Sequence, residues 1–398
     1  EQELPEVDAL ATIVKVEGMH RIADTFGPIP YVNYGSSSLY DALDLVYNKF
    51  FEELDNAIEV LSNYVNGNVD AKLMSDYDCV YGGDVEKWVK FANTLRLRLA
   101  IRVSYANPTL AEAQAKKSME NMFGFIESKA ERAELSHNSL EYHHPLHEIA
   151  YNFNSGDCRP GATIVAYLNG LNDSRISSYF TTAGDGEYHG VRIGITTSNM
   201  SNYQGNKISN LNINRASTPV VWMTAAESFF LRAEGALRGW TMGGTAKSFY
   251  EQGVRMSFEE NNAAGVDDYL ADNTSTPGAF ADNVGSDNYT FSSKVTPAWD
   301  DNADFEGQLE RIITQKWIAI YPDGPEGWSE YRRTGYPEVI PVVRNSSNGT
   351  IDTELQVRRL PYTRDEKINN ASGVASGISA LGGQDTGGTK LWWDKKSR

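Results

Sequence analysis

Residues 315–337 read QKWIAIYPDGPEGWSEYRRTGYP, and this stretch decides the fold. A helix that enters it must stop at residues 322–325, Pro-Asp-Gly-Pro, because proline lacks a backbone donor and Asp-Gly favours a tight turn. Beyond the turn, Trp328, Tyr331 and Arg332 follow at spacings of three and four, which places them on one face of a short return helix. The stretch predicts a corner between two helices, with its rings and guanidinium groups packed inside rather than offered to a ligand.

Helical periodicity elsewhere predicts a mainly α protein. Further helices are predicted over 38–63, 84–105, 109–123, 160–170, 219–239, 245–261 and 303–321. Ala246, Tyr250 and Gly253 have the small, aromatic, small spacing of the second helix of a tetratricopeptide unit, where small residues let two backbones approach. We therefore expect a helical scaffold over 39–125 and 219–335.

Composition excludes several classes of partner. The chain has 398 residues and a net charge of -17, which opposes binding to nucleic acid or to anionic lipid surfaces. It contains no run of apolar residues long enough to predict a membrane-spanning helix. The sequence opens on Glu1 with no initiator Met or apolar leader, so a signal segment is expected to be absent or removed. The two cysteines, Cys79 and Cys158, fit either one disulfide or two buried thiols.

Catalytic motifs are weak in this sequence. Glu227 and Glu234 lie seven residues apart on one predicted helix, about 10 Å of rise, which is wider than either glycosidase mechanism uses. Glu234 also has Arg238 four residues on, the usual spacing of a helical ion pair. There is no GxSxG motif, and the glycine-rich segment 382–388 lacks the Lys-Ser/Thr ending of a phosphate loop. No catalytic residue is predicted.

Metal-binding motifs are also incomplete. His143, His144 and His147 lie close in sequence, but Pro145 interrupts the helix that would bring two of them to one face. Acidic residues alternate over 300–306 like the start of a calcium loop, yet a phenylalanine stands where that loop needs glycine. No metal and no cofactor are predicted, and only a loosely held cation at 300–306 stays open.

Five blocks of the sequence, in order, carry a family resemblance. They are KWVKFANTLRLRLAIRVS at 87–104, AAESFFLRAEGALRGW at 225–240, ITQKWIAIYPDGPEGWSEYRRTGYP at 313–337, RRLPYTRDEKINN at 358–370 and GGQDTGGTKLWWDK at 382–395. Together they resemble the SusD/RagB group of nutrient-binding outer-membrane lipoproteins from Bacteroidetes. Several ordered blocks are far more specific than any single one.

The resemblance implies a single SusD-like domain over 1–398, from which an N-terminal portion is expected to be missing. In this family, helix pairs of tetratricopeptide type pack with a loop-rich ligand-binding part. Members lie on the outer surface of the outer membrane through an N-terminal lipid anchor, which is not present in this sequence. Each caps a SusC-like TonB-dependent transporter and hands it a glycan or another nutrient, without catalysing a reaction.

The loop-rich part is expected over 130–218 and 264–302, which are rich in Asn, Ser, Gly and Tyr. A glycan needs aromatic rings for its C–H faces and planar polar groups for its hydroxyls. Candidate ligand-binding residues with this chemistry are Tyr151, Asn152, Arg159, Tyr188, His189, Tyr203 and Trp299, together with Tyr31 and Tyr34.

The predicted function is therefore capture of a nutrient, an oligosaccharide or polysaccharide, at the cell surface for delivery to the transporter. Two alternatives stay open at this stage. A glycoside hydrolase of helical architecture would cleave a labelled oligosaccharide, and the cleavage would depend on one or two carboxylates. A tetratricopeptide-type adaptor would bind extended peptides in a concave helical groove and would ignore sugars.

Overall fold

The computed structural model describes residues 4–135, 144–153, 158–195, 201–215, 217–282, 284–285 and 287–396. The helices in these ranges are α1 (Pro5–Phe26), α2 (Leu43–Gly67), α3 (Val85–Arg102), α4 (Pro108–Glu120), α5 (Pro145–His147), α6 (Ala162–Gly170), α7 (Ile176–Tyr179), α8 (Ala225–Leu237), α9 (Ala246–Glu260), α10 (Val266–Ala271), α11 (Phe305–Ala319), α12 (Gly324–Thr334), α13 (Arg364–Asn369) and α14 (Ala371–Leu381). Helices dominate the described part, which confirms the mainly α class.

The strands are few and short. They are β1 (Ala133–Leu135), β2 (Phe180–Thr181), β3 (Asn210–Leu211) and β4 (Val220–Met223). β1 pairs antiparallel with β4, and β2 pairs antiparallel with β3. Each ladder joins segments that are far apart in sequence, so the strands tie loops together rather than form a layer of their own.

Consecutive helices pack against each other to build the scaffold. α1 packs on α2, α2 on α3 and α3 on α4, while α8 packs on both α9 and α11 and also contacts α3. The close approach predicted for α9 is present, because a Cβ added at Gly253 would lie 2.8 Å from the ring of Phe230 on α8. Beside it, the hydroxyl of Tyr250 donates to the carbonyl of Pro297 at 2.6 Å.

Short polar side chains determine where the scaffold helices begin. An oxygen at the N-cap accepts a hydrogen bond from the first turn and satisfies a donor that has no partner within the helix. The N-caps of α3, α8, α9, α11 and α12 are Asp84, Thr224, Thr245, Asp304 and Asp323. Pro325 lies in the first turn of α12, where a missing N–H costs little. The Pro-Asp-Gly-Pro segment therefore starts α12 as well as ending α11.

The structure differs from the sequence prediction at residues 219–239. Val220–Met223 form β4 rather than the first turn of a helix, and α8 begins only after the cap at Thr224. The reason is a long-range contact, because β4 finds its partner in Ala133–Leu135, and β-branched Val220 and Val221 suit a strand.

The N-terminal half of the scaffold differs in two further places. The helix predicted from Ser38 begins at Leu43, because Asp41 is held in an extended bridge with Ile29, in which the N–H of Asp41 donates to the carbonyl of Ile29 at 2.9 Å. The sequence analysis also predicts no helix over 5–26, where the structure has α1. Apolar residues occur all around this helix and so give no single stripe.

The corner between α11 and α12 is structural, as interpreted from the sequence. Arg332 is fully buried, its guanidinium lies 3.6 Å from the ring centroid of Trp328, and it donates to the carbonyl of Asp24 at 2.6 Å. The indole N–H of Trp328 donates to the carbonyl of Val357 at 2.9 Å. The hydroxyl of Tyr331 also donates to a backbone carbonyl. These side chains form their hydrogen bonds within the scaffold.

Six buried charges meet where the scaffold helices converge. The charge cluster consists of Arg98 and Arg102 from α3, Glu227 from α8, Lys316 from α11, and Glu326 and Glu330 from α12, all nearly inaccessible to solvent. Its closest pairs are Arg102 with Glu326 at 2.5 Å and Arg98 with Glu227 at 2.7 Å. Burial opposes ionisation of Glu326, but Arg102 and Lys316 outweigh it and hold the pKa of Glu326 well below its usual value.

Lys316 is the best position for testing the cluster, because its ammonium lies 3.0 Å from Glu326 and 3.3 Å from Glu227. Replacing Lys316 by Met should lower the free energy of unfolding by about 3–5 kcal/mol, since buried carboxylates would lose a cation. Urea denaturation followed by circular dichroism measures this change. The matched control is Lys247→Met, which removes an exposed partner of Asp301 and should leave the midpoint nearly unchanged. Equal midpoints for the two variants would contradict this role.

Glu260 links α9 to α8 and gives the fold a dependence on pH. Its buried carboxylate accepts hydrogen bonds from the N–H groups of Ala225 at 2.8 Å and Ala226 at 3.3 Å, at the start of α8. Burial raises the pKa of Glu260 to about 7, although these N–H groups act in the opposite direction. Because the pKa in the folded state is above the unfolded value, the contribution to stability is complete below the unfolded pKa and declines as pH rises to about 7.

Glu260→Gln should remove this dependence while keeping an oxygen that can accept from Ala225. We expect the variant to gain stability relative to the wild type between pH 5 and pH 7.5, by about 3 kcal/mol over the whole titration. Chemical denaturation at a series of pH values gives the difference directly. Parallel stability curves for the two proteins would show that Glu260 does not titrate in this window.

Two other expectations concern the cysteines and the membrane. Cys79 and Cys158 are both free and half-buried, which decides between the two open alternatives in favour of separate thiols. Within the ranges that the structure describes, no helix has both the length and the apolar character needed to cross a bilayer.

Candidate functional site

Among the concave regions formed by the described residues, two lie at or beside residues that the sequence analysis predicts to bind a ligand. The polar groove, of about 510 Å³, is lined by Gly184, Asp185, Asn202, Asn206, Lys207 and Val284. The aromatic cavity, of about 690 Å³, has walls formed by Tyr31, Tyr34, Tyr40 and Tyr362, with Lys15 and Glu366 among its polar residues.

The β2–β3 ladder brings the two sides of the polar groove together. Asp185 follows β2, and Asn206 precedes β3, so the antiparallel pairing sets their segments side by side. The N–H of Gly184 donates to the carbonyl of Asn206 at 2.6 Å. Further along, the N–H of His189 donates to the hydroxyl of Ser209 at 3.0 Å, and the N–H of Ser209 returns a bond to the carbonyl of His189 at 3.1 Å. These hydrogen bonds therefore fix the two segments on either side of the groove relative to each other.

The polar groove presents both hydrogen-bond donors and acceptors. Asp185 accepts from Nε2 of His189 at 2.7 Å, and this bond holds the pKa of Asp185 below its usual value. Nζ of Lys207 donates to Oδ1 of Asn202 at 3.1 Å, and Asn206 adds a second amide. A carboxylate, two amides and an ammonium group are the functional groups that can replace the water bound to a ligand rich in hydroxyls.

Tyr203 supports the polar groove from behind. Its ring is buried, and its hydroxyl donates to Oδ2 of Asp282 at 2.8 Å. Burial and this carboxylate raise the pKa of Tyr203 to about 12. The other oxygen of Asp282 accepts from the N–H of Val284 at 3.1 Å, and Val284 lines the groove. Tyr203 therefore positions its neighbours and does not present an exposed ring.

Tyr151 and Asn152 lie away from the lining of the groove, on a π-helical turn over Glu148–Asn152. The ring of Tyr151 stacks on His147 at 4.7 Å, and its hydroxyl donates to the carbonyl of Leu211. The amide of Asn152 donates to Glu148 at 2.6 Å. Both side chains are exposed, so they remain accessible but are not brought together with the groove-lining residues.

The remaining sequence-predicted loop residues are more buried than their polarity suggests. Tyr188 is half-buried and packs against the main hydrophobic core. The Nε of Arg159 is buried and has no hydrogen-bond partner among the described residues. Trp299 packs on Tyr250 with ring centroids 5.2 Å apart and donates to Asp301 at 3.1 Å. Trp299 thus belongs to the surroundings of α9.

Tyr31 and Tyr34 meet in the aromatic cavity. Met19, Ile22 and Phe26 of α1 also line the cavity, because residues three and four apart share a helix face. Tyr34 is exposed over 80% of its surface. The opposite wall comes from the C-terminal part of the chain, at the start of α13.

Sequence reasoning missed most of the residues that line these two regions. In the groove, Asp185, Asn206 and Lys207 become neighbours only through the β2–β3 ladder, and two-residue strands give no periodic signal. In the cavity, Tyr362 and Glu366 lie in the block 358–370, which served only to identify a family resemblance. The one sequence signal for the cavity was that an aromatic residue, Tyr362, and a carboxylate, Glu366, occur together in that block.

No metal centre is found within the described ranges. The ring of His144 accepts a hydrogen bond from the N–H of Leu146 at 3.2 Å, while His143 lies outside the described residues. In the segment 300–306, Asp304 caps α11 and Glu306 accepts from the hydroxyl of Tyr336 at 2.8 Å.

Comparison with protein-family models matches residues 1–394 to the SusD-like family, described as Susd and RagB outer membrane lipoprotein. A search among curated proteins finds no match. The family match covers nearly the whole chain, including the first four blocks on which the resemblance was based and all but the last residue of the fifth.

Solved structures agree with the family match. A chitin-binding SusD homologue from Flavobacterium johnsoniae is 43% identical with a TM-score of 0.94, over 98% of this chain and 81% of that chain. A SusD homologue from Bacteroides uniformis is 43% identical with a TM-score of 0.90, over the same shares of the two chains. A third, from Bacteroides thetaiotaomicron, is 38% identical with a TM-score of 0.91, over 100% of this chain and 83% of that chain. This chain therefore belongs to the SusD-like family of outer-membrane lipoproteins.

Proposed function

We propose that this protein binds an oligosaccharide at the cell surface and delivers it to a SusC-like TonB-dependent transporter, without catalysing a reaction. The main support is the 43% identity, over 98% of this chain, with a homologue described as chitin-binding. In this proposal the protein is held on the outer face of the outer membrane by an N-terminal lipid anchor. Amino sugars of the chitin type are the first ligands to test.

The polar groove is the proposed ligand site. Its carboxylate, amides and ammonium group can exchange hydrogen bonds with sugar hydroxyls, and the ladder behind it keeps them in place before a ligand arrives. Loops displayed on a rigid support are common binding sites. Of the sequence-predicted residues, His189 orients Asp185, Tyr203 supports Val284, and Tyr188 lies next to His189 in sequence.

The proposed organisation assigns the two functions to different parts of one domain. The helical scaffold over 39–125 and 219–335 carries the packing, and the loop-rich part over 130–218 and 264–302 carries the ligand. Every residue that lines the groove falls in that loop-rich part. α1, α13 and α14 extend the scaffold beyond the predicted ranges.

The environment of the carboxylates supports binding rather than hydrolysis. Glycoside hydrolysis uses two carboxyl groups that flank the bond to be cleaved. Glu234 is instead buried between Arg333 at 2.6 Å and Arg238 at 2.7 Å, and Glu227 is in the charge cluster. Among the described residues that line the polar groove, Asp185 is the only carboxylate.

The test is isothermal titration calorimetry with chitooligosaccharides and with a panel of neutral oligosaccharides. We expect wild-type protein to bind a member of this set, and Asp185→Asn and Asn206→Ala each to weaken binding by about tenfold, because each removes hydrogen bonds to the ligand. Chromatography of a labelled ligand after incubation should show no cleavage.

Two exposed residues outside the groove provide matched controls. Asp268→Asn on α10 and Asn48→Ala on α2 repeat the same chemical changes and should leave the affinity unchanged. Unchanged affinity in both groove variants would show that the ligand binds elsewhere on the protein, and the proposed function would still stand. The absence of binding to every oligosaccharide, or cleavage of the labelled one, would overturn the function itself.

A further inference from the structure

A ligand in the aromatic cavity would meet the faces of tyrosine rings rather than free hydroxyl groups. The hydroxyl of Tyr40 donates to Glu366 at 2.5 Å, and that of Tyr31 donates to Glu53. The hydroxyl of Tyr362 donates to a backbone carbonyl at 2.8 Å. Three of the four tyrosines have therefore used their only donor inside the protein, and the surface left for a ligand is aromatic and aliphatic.

The cations nearest these tyrosines already have carboxylate partners. Lys15 pairs with Glu53 at 2.8 Å. Arg359, whose guanidinium lies 4.9 Å from the ring centroid of Tyr362, pairs with Asp385 at 2.6 Å. Asp385 also pairs with Lys367 at 2.7 Å, and neither Lys15 nor Arg359 forms an ion pair with Glu366 among the described residues.

Glu366 is the carboxylate on the cavity wall that lacks such a balance. It accepts hydrogen bonds from the hydroxyl of Tyr40 and from the amide of Asn370 at 3.2 Å, and both donors are neutral. No ion pair to Glu366 is found in the part of the chain that the structure describes. A carboxylate held by neutral donors, in a cavity lined by tyrosine rings, is an environment that favours a positively charged ligand.

We propose that the aromatic cavity binds an organic cation, an ammonium group carried on an apolar body. The ammonium group would contact Glu366 and the tyrosine ring faces, and the body would pack on Ile22 and Phe26 of α1. Tyr31 and Tyr362 already face cations of the protein, because Nζ of Lys15 lies 5.2 Å from the ring centroid of Tyr31 and the guanidinium of Arg359 lies 4.9 Å from that of Tyr362. The rings of Tyr34 and Tyr40 are therefore the ones offered to the ligand. The volume of about 690 Å³ exceeds that of an ammonium group and suits a small organic molecule.

A neutral saccharide fits this cavity less well than it fits the polar groove. Apart from the tyrosines, only Lys15, Thr363 and Glu366 bring polar side chains to the lining. A sugar would lose more hydrogen bonds to water than these groups could replace, and each unreplaced bond weakens binding. The proposal therefore adds a second site, with a different ligand class, and does not depend on glycan binding by the groove.

Two ligands that share an apolar body but differ in charge distinguish the contribution of charge to binding from the contribution of apolar burial. The probes are 3-phenylpropylamine, protonated at pH 7, and the alcohol 3-phenyl-1-propanol, each titrated by calorimetry and by chemical-shift mapping. We expect the amine to bind about tenfold more tightly than the alcohol. Glu366→Gln should remove most of that difference and leave the alcohol unaffected. Tyr34→Ala should weaken both ligands, and the variant should fold like the wild type because the ring of Tyr34 is exposed.

The control is Asp365→Asn, which removes an exposed carboxylate from the neighbouring position of α13 and should leave both affinities unchanged. Three results would overturn the proposal. They are equal affinity for amine and alcohol, a preference for the amine that survives Glu366→Gln, and no binding of either probe. Circular dichroism of each variant confirms that these comparisons are made on folded protein.

Discussion

The fold depends on the mutual neutralisation of buried charges, namely the six of the charge cluster and their further partners Glu17, Asp24 and Arg333. Arg98 and Arg102 lie one turn apart on α3, and Glu326 and Glu330 lie one turn apart on α12, with Lys316 from α11 bridging between them. A buried charge that loses its partner costs several kcal/mol. No one of these helices can slide along its neighbours without leaving a charge unpaired. The charge cluster thus selects a single arrangement of the scaffold more than it adds to net stability.

Most of this scaffold can be predicted from the sequence. Residues such as Asp84 and Asp304 mark helix starts through local chemistry, and Gly253 marks a close helix contact through its missing side chain. β4 could not be read in the same way, because its strand conformation depends on Ala133–Leu135, far away in sequence. α1 shows the opposite difficulty, since a helix with apolar residues on every side lacks the stripe that identifies an amphipathic helix.

The candidate site was much less predictable than the scaffold. Composition drew attention to the loop that holds His189 and to the pair Tyr31 and Tyr34, but it could not say how exposed each ring is or what it contacts. Tyr203 illustrates the limit, because its ring is buried and its hydroxyl holds Asp282. Side chains that converge through long-range contacts, such as Tyr31 with Tyr362, leave no mark in the local pattern.

The two concave regions differ in where their polar atoms are used. In the aromatic cavity, the hydroxyls of Tyr40 and Tyr362 bond inward to the protein, so a ligand there must gain from contact with rings and from charge. In the polar groove, Asp185 and Lys207 are exposed and can form hydrogen bonds beyond those to His189 and Asn202, and Asn206 is exposed beside them, so a ligand with hydroxyls can take the place of water there. Since exchanging one hydrogen bond for another costs little, whereas losing one costs much, each region selects against the ligand that the other would accept.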